Sequence, residues 1–450
     1  MRLPVFDRRR AAALLPLSAL ERPLGAGGRG FIDWLTEARF SVWQILPVGP
    51  MGADGSPYWV RSDWAGNPRL LDPGELPDAA APIDPQFLAA TSGWLPDYAL
   101  FEALTRVHGD APFWHWPVEL REREPAALET ARARLGAEIT LIEREQYAFH
   151  LQWQRLRDYA RSRGVRLFGD LPFYVAPSSA ETWTHRALFQ LAPGGAPAFV
   201  GGVPPDYFAE RGQLWGNPVY DWHAQRRESF AWWVGRVRAQ LQRLDLLRLD
   251  HFRALAAYWS VPAGAADARG GAWHAAPGAE LLSRLREEFS DLPLAAEDLG
   301  DITPEVYALR DAFGLPGMRV LQFAFDGDAA NPHRPYLHER TSVAYSGTHD
   351  NDTTAGWYAH LDRETAARVD LYLGVSGLPA VAQALIRATL GSVARLAVVP
   401  VQDLLGLGSE ARFNTPGTTS GNWAWRLPPA ALDARLAARY AALNTVYGRA

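Results

Sequence analysis

Residues 246–252 of this 450-residue chain read Leu-Leu-Arg-Leu-Asp-His-Phe, a short apolar run that ends in charged and polar side chains. Seven further runs of this kind occur along the chain, separated by loops and by helical patterns. Near-continuous apolar runs are typical of parallel strands that are buried on both faces. In chain order the eight runs span residues 12–17, 42–48, 165–175, 246–252, 292–299, 319–325, 342–348 and 397–404.

Eight such strands alternating with helices predict an α/β fold, the (β/α)8 TIM barrel. A plain barrel needs only about 250 residues, so we expect large, mainly helical and loop insertions at the C-terminal face of the strands. One inserted subdomain is expected at about residues 58–164, with a helical pattern over 125–163. A loop and lid subdomain is expected at about 177–243, helical from about residue 226. No linker separates these segments, so residues 1–450 are interpreted as a single catalytic barrel.

The composition excludes several chemistries. The chain has no cysteine and no lysine, so all 45 basic residues are arginine. Thiol nucleophiles, disulfides, iron–sulfur clusters, thiolate zinc sites, Schiff bases and lysine-bearing phosphate loops are therefore excluded. With 45 basic and 50 acidic residues the net charge is −5, which indicates no basic surface for nucleic acid or an anionic membrane. Carboxylates, His, Arg, Tyr and hydroxyls remain as catalytic side chains.

The first residues match a secretion signal only in part. Three arginines at 8–10 precede an apolar run over 11–20, but Glu21, Arg22 and Pro23 follow instead of a small-residue cleavage site. No apolar stretch reaches the ~18 residues that a membrane span requires. We therefore expect a cytoplasmic protein with no membrane partner.

Charged side chains end the fourth and fifth runs, at the face where barrel enzymes carry their active sites. Strand alternation places Arg248 and Asp250 on one face, where the guanidinium favours the charged carboxylate. A purely structural ion pair is the alternative interpretation. The fifth run ends in the adjacent carboxylates Glu297 and Asp298. We expect one of them to face the barrel mouth and the other to enter a salt bridge or a helix cap.

The seventh run continues into Thr348-His349-Asp350, so a third strand end carries a carboxylate, although a helix-capping cluster would look similar. Retaining glycosidic chemistry needs a carboxylate nucleophile and an acid/base about 5–5.5 Å apart, and a third carboxylate can bind sugar hydroxyls. His251 and His349 would donate to hydroxyls. The same residue types could instead bind a divalent metal ion, but we find no His-x-His pair at a strand end and assign no metal site.

Longer motifs surround these strand ends and extend over about residues 12–427, and the chain resembles the 4-α-glucanotransferases (amylomaltase or disproportionating enzyme), glycoside hydrolase family 77 of the α-amylase superfamily. The motifs are Trp43-Gln44-Ile45-Leu46-Pro47, Ser56-Pro57-Tyr58, Ala65-Gly66-Asn67-Pro68, Gly169-Asp170-Leu171-Pro172, Gly202-Val203-Pro204-Pro205-Asp206-Tyr207-Phe208, Gly212-Gln213-Leu214-Trp215-Gly216-Asn217-Pro218, Gln402-Asp403-Leu404-Leu405-Gly406-Leu407-Gly408 and Gly421-Asn422-Trp423-Ala424-Trp425-Arg426.

The resemblance implies that Asp250 is the nucleophile, Glu297 the acid/base and Asp350 the transition-state stabiliser. It also implies that the segment over 202–215 arches over the cleft. Where the family has a carboxylate this chain has Ser178, and Leu15 stands in the place of a histidine; both departures concern cleft shape and substrate length. The side chains expected to bind substrate are Arg248, His251, His349, Tyr58, Asp206, Gln213, Trp215 and Asn422.

The implied activity is transfer of an α-1,4-glucan segment to the 4-hydroxyl of another glucan or of glucose, by a retaining double displacement through a covalent glycosyl-enzyme. The expected partners are maltooligosaccharide donors and acceptors, with no nucleic acid, and the scheme requires no cofactor. We expect a monomer or a weak homo-oligomer. An α-1,4-glucan hydrolase of the same superfamily is the alternative activity. A non-catalytic glucan-binding protein and a metal-dependent enzyme are the alternatives from other classes.

Overall fold

A computed structural model describes residues 5–52, 55–205, 210–418 and 420–450 of the chain. Eight of the strands in these residues form a closed parallel barrel, and four others form a separate antiparallel sheet. The strands are β1 (Arg10–Leu14), β2 (Val42–Gln44), β3 (Arg166–Leu171), β4 (Phe199–Val203), β5 (Gln213–Pro218), β6 (Leu246–Leu249), β7 (Ala257–Pro262), β8 (Ala272–Ala275), β9 (Leu294–Ala296), β10 (Gly317–Val320), β11 (Ser342–Tyr345) and β12 (Leu396–Pro400).

The barrel strands follow one another in chain order, β1, β2, β3, β6 and β9 to β12, and β1 pairs with β12 to close the ring. Helices alternate with them, so the (β/α)8 prediction is confirmed. The helices are α1 (Ala26–Glu37), α2 (Pro85–Thr91), α3 (Leu95–Val107), α4 (Val118–Arg121), α5 (Pro125–Arg134), α6 (Gly136–Ser162), α7 (Ala180–Thr184), α8 (Trp222–Arg227), α9 (Ala231–Leu241), α10 (Gly278–Phe289), α11 (Pro304–Ala312), α12 (Thr354–Ala359), α13 (Arg363–Leu373), α14 (Ala380–Gly391), α15 (Val401–Leu405) and α16 (Ala434–Val446).

Local chemistry explains where many of these helices begin. Asp84, Asp221, Asp362 and Asp433 each precede a helix and accept a hydrogen bond from a backbone N–H of its first turn. The barrel interior and the helix faces that cover it form one large apolar cluster, to which every barrel strand contributes. In the described part of the chain, no helix has both the length and the apolar character of a membrane span.

The apolar runs extend beyond the observed strands at several ends. The run over 319–325 contains the end of β10, but a 3-10 turn follows at Leu321–Phe323. The run over 397–404 contains most of β12 and then continues into the short helix α15. The residues after each of these strands are still largely buried at the barrel mouth, so hydrophobicity continues where strand geometry stops.

The segment over 58–164 contains α2 to α6, and its long helical pattern is divided between α5 and α6 at Leu135. The second insertion, expected to be mainly loop and helix, also contains the strands β4 and β5. These strands form an antiparallel sheet in the order β5-β4-β7-β8, and β7 and β8 follow barrel strand β6. Glycines and a terminal proline in β4 and β5 made these strands resemble loops. The division into one barrel with two inserted subdomains stays a prediction.

Candidate active site

Arg248 stands between two carboxylates at the ends of neighbouring strands β3 and β6. Its Nη1 lies 2.6 Å from Asp170 Oδ2, and its Nη2 lies 2.7 Å from Asp250 Oδ1. The register of β3 and β6 explains this contact, because Asp170 is the direct partner of Arg248. Burial acts to lower the pKa of Arg248, but the two carboxylates outweigh it and hold that pKa well above its usual value. The guanidinium is therefore a permanent positive charge beneath the cleft.

Glu297 follows β9, the other neighbour of β6 in the barrel. Its backbone N–H donates to the carbonyl of Leu249 over 3.0 Å, which sets its position beside the end of β6. Its Oε2 accepts from the backbone N–H of His251 over 2.7 Å, and its Oε1 accepts from that of Leu299 over 3.0 Å. Burial, assisted by the nearby charge of Asp250, raises the pKa of Glu297 to about 8 against the opposing effect of Arg248. The group is therefore protonated at neutral pH.

Asp298 points away from Glu297 into buried ion pairs between β9 and β10. Its Oδ2 lies 2.6 Å from Arg310 Nη1 and 3.3 Å from Arg319 Nη1. A glycine is required next to it at position 317, where a Cβ would lie 2.4 Å from Asp298 Oδ2. The two adjacent carboxylates thus separate, one to the cleft and one to the wall of the barrel.

Asp350 follows β11 and is held by two side chains. Asn414 Nδ2 donates to Asp350 Oδ1 over 2.6 Å, and His349 Nε2 lies 3.2 Å from Asp350 Oδ2. Burial acts to raise the pKa of Asp350, but His349 and Asn414 together hold it well below its usual value. Asp350 is therefore a carboxylate at every pH at which the enzyme would work.

Tyr58 connects the third and seventh strand ends. Its hydroxyl lies 2.8 Å from Asp170 Oδ2 and 2.7 Å from His349 Nε2. Because its single proton goes to the carboxylate, His349 must donate its Nε2–H to the tyrosine oxygen. The two rings stack with centroids 5.4 Å apart, and Trp423 packs against both, at 6.0 Å from Tyr58 and 6.1 Å from His349.

The antiparallel sheet brings Trp215 to the other side of this centre. The Trp215 ring meets His251 edge-on at 4.7 Å and Tyr174 at 6.2 Å, and its Nε1 donates to Gln213 Oε1 over 3.2 Å. Burial lowers the pKa of His251 to about 4, so this ring is neutral. Its Nε2 has no hydrogen-bond partner among the described residues. Asp206, which the sequence also assigned to substrate binding, lies outside the described residues.

Asn422 lies apart from these contacts, in a loop that it helps to fold. Its Oδ1 accepts from Thr415 N over 2.9 Å, and its Nδ2 donates to Thr418 O over 3.1 Å. The sequence reasoning did not assign three side chains that contact the centre, namely Asp170, Asn414 and Trp423. Asp170 could have been found, since it is the one carboxylate in the apolar run over 165–175. Asn414 follows the eighth strand only after the short helix α15, so no predicted strand end indicated it.

The centre therefore combines a carboxyl group paired with arginine, a protonated carboxyl group and an ionised carboxylate at the ends of three barrel strands. Titratable groups whose environments separate their protonation states are typical of acid/base catalysis. In the described ranges, no cluster of three His, Cys, Asp or Glu side chains is placed to bind a metal ion.

A parallel barrel with this arrangement of carboxyl groups defines a barrel enzyme of the kind that acts on glycosidic bonds. The sequence model of glycoside hydrolase family 77, described as 4-alpha-glucanotransferase, matches residues 15–85 and 83–432. The chain belongs to this family.

Individual relatives agree with this assignment over almost the whole chain. A 4-alpha-glucanotransferase of Synechocystis is 42% identical, with 99% of each chain covered. One of Thermus thermophilus is 43% identical, covering 96% of this chain and 97% of the relative. The structure of amylomaltase from Streptococcus agalactiae, solved in complex with acarbose, superposes with a TM-score of 0.93 at 30% identity, covering 98% of this chain and all of the other. These names do not favour the hydrolase alternative.

Proposed function

We propose that this 4-α-glucanotransferase moves a segment of an α-1,4-glucan to the 4-hydroxyl of a second glucan, or of glucose, by a retaining double displacement. The observation that carries the mechanism is the pairing of Asp250 with Arg248 beside a protonated Glu297 on the neighbouring strand. One group is placed to attack, and the other has a proton to give. Maltooligosaccharides are the proposed donors and acceptors.

In the first step the Asp250 carboxylate attacks the anomeric carbon of the donor. The bond from that carbon to the glycosidic oxygen breaks, and Glu297 gives its proton to the departing oxygen, which becomes a new 4-hydroxyl. In the second step the acceptor 4-hydroxyl attacks the anomeric carbon, the bond from that carbon to Asp250 breaks to release the carboxylate, and Glu297 takes the hydroxyl proton. Two inversions at one carbon retain the α-linkage.

Asp350 and His349 would hold the ring that reacts. A fixed carboxylate charge stabilises the oxocarbenium-like transition state, and His349 can shift its Nε2–H from Tyr58 or Asp350 to a sugar hydroxyl. The network Asp170–Tyr58–His349 keeps these groups oriented before substrate arrives. The buried Arg248, which orients Asp250, completes the set.

Transfer exceeds hydrolysis only if the acceptor sugar reacts faster than water, which is in great molar excess. Orientation of two reactants can contribute about 7–11 kcal/mol in well-placed cases. The strand β5 with Trp215 and the aromatic wall of Tyr58 and Trp423 are the parts available to orient an acceptor and exclude water.

Incubation with maltotriose alone tests the proposed activity. We expect glucose together with maltooligosaccharides longer than three units, because a transferred segment extends a second donor. High-performance anion-exchange chromatography of a time course measures this ladder. A reaction that yields only glucose and maltose would identify a hydrolase instead.

The pH dependence tests the state of Glu297. Because the first step needs this carboxyl protonated and its pKa is raised to about 8, we expect kcat/KM for maltotriose to fall as the pH rises through about 8. Initial rates across the pH range in buffers of constant ionic strength measure this limb. A decline that begins near the ordinary pKa of a glutamate would contradict the assignment of the proton donor.

A further inference from the structure

Asp350 and Asn414 come from different parts of the chain, although a hydrogen bond joins their side chains. Asp350 lies in the loop that follows β11, and Asn414 lies in the segment that follows α15. Asn414 Nδ2 lies only 2.6 Å from Asp350 Oδ1, so this contact needs the two segments to be held at a fixed separation. A group that fixes both segments would therefore fix the position of the proposed stabiliser.

Arg412 bonds the main chain of both segments. Its Nε donates to the carbonyl of Asn414 over 2.7 Å, and its Nη2 donates to the carbonyl of Asp350 over 2.6 Å. Both N–H groups belong to one rigid, planar guanidinium, so the two carbonyls are held in a set relative geometry. The side chain thus connects the residue that carries the carboxylate to the residue that donates to it.

The contacts of Arg412 indicate a role in position rather than in charge. Both of these hydrogen bonds end on neutral carbonyls. Burial acts to raise the pKa of Asp350. The main groups that hold this pKa low are His349, Asn414 and Arg248. Loss of Arg412 should therefore leave Asp350 ionised, while its carboxylate becomes free to move.

Separate contacts keep the Asp350 loop folded. The carbonyl of Asp352 accepts from Gln322 Nε2 over 2.9 Å, and Asp352 Oδ2 accepts from Ser409 Oγ over 2.6 Å. Neither bond involves Arg412. Removal of the Arg412 side chain should therefore shift the carboxylate of Asp350 without unfolding the loop that carries it.

We propose that Arg412 is a positioning residue for glucan transfer, because it holds the Asn414 side chain against Asp350 at the separation that the transition state requires. The inference rests on the proposed function, in which Asp350 stabilises an oxocarbenium-like transition state. A misplacement of about 1 Å can cost about 10²-fold in rate. The contribution of Arg412 should appear in kcat, since it is made through a group that acts in the transition state.

Arg412→Ala tests this role, with Arg9→Ala as the matched control. Arg9 also donates to two main-chain carbonyls, those of Leu390 and Ser392, over 2.9 Å each, but it precedes β1 at the opposite end of the barrel. The measured quantities are kcat and KM for glucose release from maltotriose. We expect Arg412→Ala to lower kcat about 10- to 10²-fold and to leave KM within about threefold of the wild-type value. Arg9→Ala should change neither.

Guanidinium ions give a readout that a general loss of structure would not give. Arg412 is half-buried and lines a groove of about 600 Å³, so the space left in Arg412→Ala can admit a small cation. We expect guanidinium chloride, far below the concentrations that unfold the protein, to raise the kcat of this variant severalfold. Sodium chloride at the same ionic strength should not do so. The wild type and Arg9→Ala should show no gain from guanidinium.

The double variant Arg412→Ala/Asn414→Ala tests whether Arg412 acts through Asn414. If it does, kcat of the double variant falls by less than the product of the two single losses. Losses that multiply would overturn the proposal, as would an unchanged kcat in Arg412→Ala or a rise in its KM alone. A loss of kcat of equal size in Arg9→Ala, with no gain from guanidinium in either variant, would also overturn it.

Arg412→Gln decides if Arg412→Ala does not fold. Glutamine has one nitrogen where arginine uses two, so it cannot reproduce the fork that bonds both carbonyls. Its kcat should fall while its KM stays near the wild-type value. An unchanged kcat in Arg412→Gln would overturn the proposal.

The product ladder separates failure of this proposal from failure of the proposed function. A wild-type protein that releases glucose from maltotriose without forming longer oligomers would not be a transferase. A loss of glucose release in Arg412→Ala that guanidinium reverses would then still support the positioning role. Normal transfer by the wild type together with an unchanged kcat in Arg412→Ala would overturn the positioning role alone.

Discussion

Asp250→Asn is expected to lower the rate of maltotriose disproportionation by at least about 10⁴-fold, in the range seen when a residue of a catalytic unit is removed. The amide has nearly the shape of the carboxylate, and its oxygen can still accept from Arg248 Nη2, which lies 2.7 Å from the carboxylate in the native site. It lacks the negative charge needed to attack the anomeric carbon. The fold and the glucan-binding surfaces should therefore persist while covalent chemistry stops.

Two measurements distinguish this outcome from general damage. Titration calorimetry should show that the variant still binds maltoheptaose, and thermal unfolding should show a Tm close to that of the wild type. Asp301→Asn is the matched control, because it removes an exposed carboxylate from the loop that follows Glu297. Turnover by Asp250→Asn at the wild-type rate would show that another group is the nucleophile.

The barrel could be predicted because its strands carry their own signal. Each buried parallel strand is a short apolar run, and every observed barrel strand overlaps one of the eight runs. The ends were less predictable. Residues such as Val401 and Leu404 are as buried in helix α15 as they would be in a strand, and hydrophobicity does not distinguish these states.

The antiparallel sheet could not be predicted, because its pairing is non-local. Strand β4 pairs with β7 from Phe199 opposite Pro262 to Gly202 opposite Trp259, although barrel strand β6 lies between them in the chain. Neither strand contains a clear alternation of apolar and polar residues, and β4 contains two glycines. This sheet nevertheless places Trp215 against His251, so a pairing that the sequence did not predict positions a side chain that the resemblance had assigned to substrate binding.

For the site, the positions of residues along a strand predicted which side chains lie together, but the sequence did not predict what surrounds them. Arg248 and Asp250 were placed together by alternation alone, and the structure brings them into contact. Since the chain has no lysine, the sequence offered no reason to read Arg248 as more than a positive charge. The structure gives a reason for arginine at this position, because the two ends of the guanidinium bind two different carboxylates. A lysine ammonium would bind the two with less directional control.

The proton on Glu297 shows the limit most clearly. The sequence identified the two adjacent carboxyl groups, Glu297 and Asp298. It could not show that burial raises the pKa of the first so that it keeps its proton, or that two arginines pair with the second. These states depend on β10 and on the Arg248 pair, which come from distant parts of the chain. In the sequence, the assignment of Glu297 as the acid and Asp250 as the nucleophile therefore rested on the family resemblance. The burial of Glu297 adds a physical reason for it to act as the acid.

Glu297→Gln is expected to reduce disproportionation of maltotriose by about 10²- to 10⁴-fold, the usual contribution of a general acid/base. Glutamine keeps the size of the side chain, and its oxygen can still accept from the backbone N–H of His251, although its amide nitrogen cannot accept from that of Leu299. It can neither protonate the leaving oxygen nor take the acceptor proton. Both steps should slow, and the decline of activity near pH 8 should disappear with the group that titrates there.

The leaving group and the acceptor separate these two roles. With α-maltosyl fluoride as donor the first step needs no proton, because fluoride departs as a stable anion, so Glu297→Gln should form the glycosyl-enzyme and stall there. Azide, which attacks without base assistance, should then restore turnover and yield an α-glycosyl azide, whose retained configuration indicates a covalent glycosyl-enzyme. Glu287→Gln, which alters a glutamate that is 72% exposed, is the control and should need no azide. Rescue with retention is predicted only for a covalent intermediate whose general base has been removed. Failure of azide to accelerate Glu297→Gln, or an inverted β-azide product, would therefore contradict the assignment of Glu297 as the acid/base beside a carboxylate nucleophile.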